Sequence, residues 1–180
     1  VSALSDDKVD LEIKLVQLVK LYKDGKPYKM SKRSGTFVTL SDLVKEVGSD
    51  VVRFVMLTRK NDAPLDFDFT QVLEQSKDNP VFYVQYAHAR ICSVLRKAKS
   101  SGFDVSDKNL ALSDLSVNTH KAELRLARKI GEWPRIIDVA ARNTEPHRIA
   151  FFLYELAGEF HYLWNKGNDI KSLRFIQDDE

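Results

Sequence analysis

Between Pro146 and Gly167 the residues Ile149, Phe152, Leu153, Leu156, Ala157, Phe160, Leu163 and Trp164 recur at three- and four-residue intervals. That period matches the 3.6-residue turn of an α-helix, so these side chains share one face. Covering each large apolar side chain contributes roughly 1.5–3 kcal/mol, a gain available only when other elements pack against the stripe. Thr144-Glu145-Pro146 offers a capping residue and an early proline to start this helix, and Gly167 is positioned to stop it. A chain built around such a helix is expected to be mainly α.

The rest of the chain supplies partners. From Gln71 the pattern predicts one helix, bent near Asn79-Pro80 and running to about Lys99. At 100° per residue, Tyr83, Val84, Ala87, Ile91, Val94, Leu95 and Ala98 fall on one apolar face, with Tyr86, Arg90 and Lys97 along its border. Rings beside cations suit a splayed-out RNA base, although tyrosines at helical spacing also serve as core residues whose hydroxyls reach water. Ser100 to Leu115 reads as a linker. A helix resumes at Val117, capped by Asn118 or Thr119 and carrying Ala122, Leu124, Leu126, Ala127 and Ile130; Gly131 and Pro134 punctuate it before Ile136, Ile137, Val139 and Ala140.

Upstream, Leu15 to Tyr22 is compatible with a strand, and Asp24-Gly25 is a two-residue turn signal leading into Lys26-Pro27-Tyr28. Thr39 or Ser41 can cap a helix that Gly48 ends after Val47, and Ser49-Asp50 can cap a second, short helix to about Arg59. Leu65 to Phe69 alternates apolar and acidic residues as a brief extended segment, and Thr70 can cap the next element. The fold expected is a short β-hairpin and stem region followed by an α-helical bundle.

With 180 residues, 43% hydrophobic and 30% charged, the chain can build one or two packed cores. No apolar run approaches the roughly 20 residues needed to cross a bilayer, and VSALSDDKVDLE has neither the basic start nor the apolar middle of a secretion signal. Cys92 stands alone, so no internal disulfide forms, which fits a reducing cytoplasm. His88, His120, His147 and His161 lack metal-like pairing and read as structural or solvent-facing; no metal site is expected. A net charge of +2 hides two basic stretches. Lys20 to Arg33 holds six basic residues against Asp24 alone, and no acid occurs between Asn79 and Phe103.

The first basic stretch ends in Lys29-Met30-Ser31-Lys32-Arg33-Ser34-Gly35. Two ammonium groups three residues apart, joined by hydroxyls and closed by glycine, can follow a polyphosphate as its charge shifts in a transition state. These residues resemble the KMSKS signature of class I aminoacyl-tRNA synthetases, with Arg33 where the pattern has Ser. Further motifs in family order narrow the resemblance to the arginyl-tRNA synthetases. They are Asp24-Gly25-Lys26-Pro27, Ser34-Gly35-Thr36, Asp50-Val51-Val52-Arg53, the run from Tyr83 to Ile91, and Pro146-His147-Arg148 with Tyr154-Glu155-Leu156-Ala157 and Phe160.

The resemblance implies part of a ligase that activates arginine with ATP, accompanied by Mg2+, and transfers it to tRNA(Arg). It assigns Lys29, Met30, Ser31 and Lys32 to ATP binding. Among them Lys32 would steady the pyrophosphate leaving group, with Lys29 and Ser31 holding the loop. It assigns Tyr83, Tyr86, Arg90 and Phe160 to the anticodon loop of tRNA, and Trp164 more weakly. Residues 1–40 would be the C-terminal edge of the catalytic domain, 41–76 a helical stem, and 77–180 a DALR-type anticodon-binding bundle truncated at its C-terminus. The HxGH motif of the class is missing, so the chain alone is expected to be inactive, with the nucleotide-binding domain upstream. A monomer in the cytoplasm, without a membrane partner, is expected. Two other readings remain open: a cysteinyl-tRNA synthetase fragment, or a non-catalytic RNA-binding helical module.

Overall fold

The computed structural model describes residues 13–28 and 37–177, so the loop residues Lys29, Met30, Ser31 and Lys32 lie outside the described part. The chain divides into two compact units, residues 1–70 and 71–180.

The first unit opens with a hairpin, strands β1 (Val19–Lys23) and β2 (Lys26–Pro27) pairing antiparallel with Lys23 opposite Lys26. Asp24 and Gly25 both take positive φ, 53° and 71°, as a two-residue turn matched to strand twist requires. Helices α1 (Leu40–Val47) and α2 (Ser49–Met56) follow. Thr39 caps α1 in a reciprocal box: its hydroxyl oxygen accepts from the Asp42 N–H at 3.1 Å while the Asp42 carboxylate accepts from the Thr39 N–H at 3.0 Å. The Thr39 side chain, then its backbone, hold the Asp42 carboxyl below its ordinary pKa. The second helix is capped not by Ser49 but by Gly48, without a side-chain hydrogen bond, and it stops at Met56 rather than near Arg59.

Strand β3 (Leu65–Asp68) then lies parallel to β1, from Val19 opposite Leu65 to Tyr22 opposite Asp68, giving the sheet order β2-β1-β3. The alternation of this segment anticipates a strand but carries no information about its partner. Asp68 is buried although acidic, because its carboxylate accepts from the N–H groups of Gly25 at 2.8 Å and Thr70 at 2.9 Å. Thr70 is likewise drawn to the hairpin, its hydroxyl donating to the Asp24 carboxylate at 2.7 Å. The turn before the loop is thereby tied to the end of β3. Among the described residues of this unit, Leu43, Val47, Val52, Val55, Leu65, Phe67 and Phe69 are buried and apolar.

The second unit contains α3 (Pro80–Ser100), α4 (Asp107–Ala111), α5 (Lys121–Gly131), α6 (Trp133–Arg142) and α7 (His147–Asp169). The stripe on α7 makes it the hub, with α3, α5, α6 and the 3-10 turn Lys171–Leu173 all packed on it. Small residues set the closest approach: Ala87 and Ala157 are buried with Phe160 in one cluster, and Ala122 with Leu163 and Leu173 in another. The apolar face on α3 is covered unevenly, with Val94 and Ala98 half-buried in its second half. Val81 and Ala87 are buried, whereas Ile91 and Leu95 are exposed.

Helix starts and stops differ from the sequence expectations for identifiable reasons. Residues 71–79 hold one 3-10 turn rather than a helix, because Asn79 terminates that turn and caps α3. Its Oδ1 accepts from the N–H groups of Val81 at 3.0 Å and Phe82 at 3.5 Å; its Nδ2 donates to the carbonyls of Val72 at 2.9 Å and Glu74 at 2.7 Å. The expected linker contains α4, and α5 is capped by the ring of His120 rather than by Asn118 or Thr119. Thr144 ends α6 instead of starting α7: at φ 53° it lets the Glu145 N–H reach the Ala140 carbonyl. Gly167 does not stop α7. A Cβ there would meet the Leu173 carbonyl oxygen at 3.1 Å, so glycine admits the returning chain.

Candidate nucleic-acid interface

The longest acid-free stretch of the described chain becomes α3, and the cap at Asn79 sets the phase with which its side chains emerge. Phe82, Tyr86 and Arg90 follow at four-residue intervals and form one ridge. The rings of Phe82 and Tyr86 stack with centroids 5.6 Å apart and planes 9° apart. Next along the ridge, the Arg90 guanidinium carbon lies 4.2 Å from the centre of the Tyr86 ring. From α7, Trp164 approaches the same guanidinium at 4.6 Å, so Arg90 contacts two aromatic rings. Each such cation–π contact contributes about 0.5–2 kcal/mol, rising with desolvation.

His161 anchors the group from below. It is buried, and its Nε2 lies 3.2 Å from the Tyr83 carbonyl oxygen while its Nδ1 lies 3.1 Å from Nη1 of Arg90. The imidazole also contacts the rings of Tyr83 at 4.5 Å and Tyr86 at 5.5 Å. Burial, joined by the Arg90 charge and opposed by the bond to the Tyr83 carbonyl, lowers its pKa from the ordinary value. Burial also raises the Tyr83 hydroxyl, with Tyr154 reinforcing the shift and Arg90 opposing it.

Of the residues singled out in the sequence, three share this ridge and its flank. Tyr86 is 42% exposed, Arg90 is half-buried, and half-buried Tyr83 packs toward His161 and Tyr154. Phe160 differs: only 5% exposed, its ring is used in packing against Ala87, Ala157, Trp164 and Phe175, and it presents no open face to a base. Trp164 is half-buried with its ring against Arg90. Sequence reasoning misses Phe82, His161 and Phe175 as members of this group. The spacing of Phe82 to Tyr86 carries a signal for the first, while the other two depend on chain segments meeting from far apart.

Electrostatics favour an anion or an electron-rich ring. Among the described residues no carboxylate forms a salt bridge with Arg90. One guanidinium N–H goes to His161, which leaves further donors of its five. Beside the ridge, a groove of about 260 Å³ is lined by Lys97, Trp164, Asn168, Arg174 and Phe175, two cations next to two aromatic rings. No group of three His, Cys, Asp or Glu side chains among the described residues could hold a metal ion. Chemically, the arrangement can stack planar groups and hold phosphate.

Comparison with known proteins identifies the family. The DALR anticodon binding domain family matches residues 84–180. An arginine–tRNA ligase of Ruegeria pomeroyi is 68% identical over 178 residues, covering 99% of this chain and 31% of that protein. One from Roseobacter denitrificans is 66% identical over 179 residues with the same coverage. The chain therefore spans about a third of the length of these relatives. A solved chain from Campylobacter jejuni, presented as a candidate arginyl-tRNA synthetase, superposes with a TM-score of 0.75 at 32% identity, covering 91% of this chain and 34% of that one. Thermus thermophilus arginyl-tRNA synthetase shares the fold, with a TM-score of 0.56 at 23% identity over 78% of this chain and 25% of that one. The helical bundle with its stacked ridge, and the family match that runs through both α3 and α7, together make this chain a member of the DALR anticodon binding domain family.

Proposed function

We propose that the chain is part of an arginine–tRNA ligase and that α3 and α7 bind the anticodon loop of tRNA(Arg). The observation that carries this reading is the stack of Phe82, Tyr86 and Arg90 on the acid-free α3, with the Trp164 ring of α7 against the same guanidinium. An unstacked base packs against the exposed part of this ridge at Tyr86, worth roughly 1–3 kcal/mol, while Arg90 donates to phosphate or a base edge. Phe160 supports the column from the core. The 68% identity to an arginine–tRNA ligase favours arginine over cysteine, and it favours an enzyme over a free-standing RNA-binding module.

In the longer protein, arginine and ATP with its Mg2+ bind mainly outside this chain. Lys32 steadies the departing pyrophosphate and Lys29 and Ser31 hold the loop in place, an electrostatic role that needs no proton transfer, with Met30 beside them in the ATP-binding loop. Residues 1–40 serve as the edge of the catalytic domain, 41–76 as the stem and 77–180 as the anticodon reader, in a cytoplasmic monomer. The test is binding of the chain to anticodon stem-loops that differ only in the anticodon, at fixed salt. The arginine anticodons should bind more tightly; equal affinity for all would leave phosphate attraction alone and overturn the reading.

A further inference from the structure

We infer that His161 is a positioning residue for RNA recognition, holding the Arg90 guanidinium between Tyr86 and Trp164 with its remaining donors turned toward the ligand. The inference rests on the proposed role of Arg90 in binding the anticodon loop.

Residues 157, 160, 161 and 164 share the face of α7 that meets α3, and three of them are apolar or aromatic. An imidazole there is only 5% exposed, so both ring nitrogens need partners inside the protein. The Tyr83 carbonyl can only accept, which requires the hydrogen on Nε2. Nδ1 is then a lone pair, and a guanidinium can only donate, so Arg90 supplies the matching N–H at 3.1 Å. The two bonds thus fix the neutral tautomer and use all the hydrogen-bonding capacity of the ring.

The consequence falls on Arg90. A guanidinium lying on exposed rings can slide and rotate at small cost, because cation–π attraction is weakly directional. A directed bond from a buried, packed imidazole removes that freedom before RNA arrives. Pre-ordering a recognition group in this way raises affinity by reducing the ordering cost at binding. Among the described residues, the charged and titratable groups in contact with His161 are Arg90, Tyr83 and Tyr86, all on α3, so none of these contacts is a carboxylate competing for the guanidinium.

The experiment measures binding of the full chain to a labelled tRNA(Arg) anticodon stem-loop at fixed salt. The variants are Arg90→Ala alone, and His161→Leu and His161→Asn each with and without Arg90→Ala. His161→Leu removes the acceptor and should weaken binding about tenfold, the scale of one hydrogen bond to a charged group. His161→Asn can offer its Oδ1 near the position of Nδ1 and should restore affinity to within about threefold of the unsubstituted chain. In the Arg90→Ala background, His161→Leu should have no further effect, since the residue acts through Arg90. A silent His161→Leu, an equal loss without Arg90, or failure of Asn to rescue would overturn the inference while leaving the anticodon reading in place. An Arg90→Ala variant that binds like the unsubstituted chain would instead sink the role of Arg90, and this inference with it. Where His161→Leu does not fold, nitrogen NMR of the unsubstituted imidazole decides. Hydrogen on Nε2 with bare Nδ1 at neutral pH is expected, and the opposite tautomer or an imidazolium overturns it.

Discussion

Tyr86 and His161 show how one side chain's surroundings set its use. Tyr86 is 42% exposed while its contacts to Phe82, Arg90 and His161 hold the ring in orientation. Tyr86→Ala should therefore weaken anticodon stem-loop binding by about 5- to 150-fold, the range of one lost base stack, while Tyr86→Phe keeps most of the affinity. Fluorescence anisotropy would show this, and equal losses for Ala and Phe would point to the hydroxyl instead of the ring. His161 governs a pH effect. Its folded pKa is lowered from 6.5 by burial first, with Arg90 adding to the shift, so in acid the unfolded chain takes up the proton more readily than the folded one. Stability from this group is complete above the unfolded value and is lost as pH falls below it toward the folded value. Urea melts at pH 7 and about pH 5 should show a decline that shrinks in His161→Asn; an undiminished decline would assign the effect to other groups.

At the scale of elements, helix termini here are made by side chains that join two segments. Asn79 closes the 3-10 turn with its amide nitrogen and opens α3 with its amide oxygen, while only 7% exposed. Replacing it by Ala leaves the Val81 and Phe82 N–H groups and two carbonyls without these partners. We expect a destabilisation of about 2 kcal/mol in denaturant melts, combining a lost cap with buried unpaired groups. A change under about 0.5 kcal/mol would mean that water replaces the amide fully. Two other positions are decided by the backbone instead. Thr144 looks like a cap for α7 because hydroxyl residues precede helices so often, yet α7 starts two residues later from Pro146, and the left-handed backbone of Thr144 closes α6. Gly167 looks like a stop, but the hydrogen-bond ladder of α7 continues through it to Asp169.

For the molecule as a whole, charge is localised rather than spread, and this sets how RNA affinity responds to salt. Lys97 and Arg174 line the groove beside Trp164. Replacing both by Ala should reduce the slope of log affinity against log salt by about 1–2 while leaving the preference for arginine anticodons intact, because phosphate contacts carry no sequence information. An unchanged slope in a salt titration would remove this groove from the RNA path. By itself the sequence determined the features that depend on neighbours within about four residues. These are the Asp24-Gly25 turn, the Thr39 cap, the apolar stripes of α3 and α7, and the acid-free run beside the tyrosines. Tertiary structure alone decided the parallel pairing of β3 with β1, the burial of Phe160 beneath the ridge, and the union of Arg90 with Trp164 and His161. His161 meets Arg90 across 71 positions and Tyr83 across 78, and no local periodicity encodes which polar residue on a buried face will find a partner on another helix.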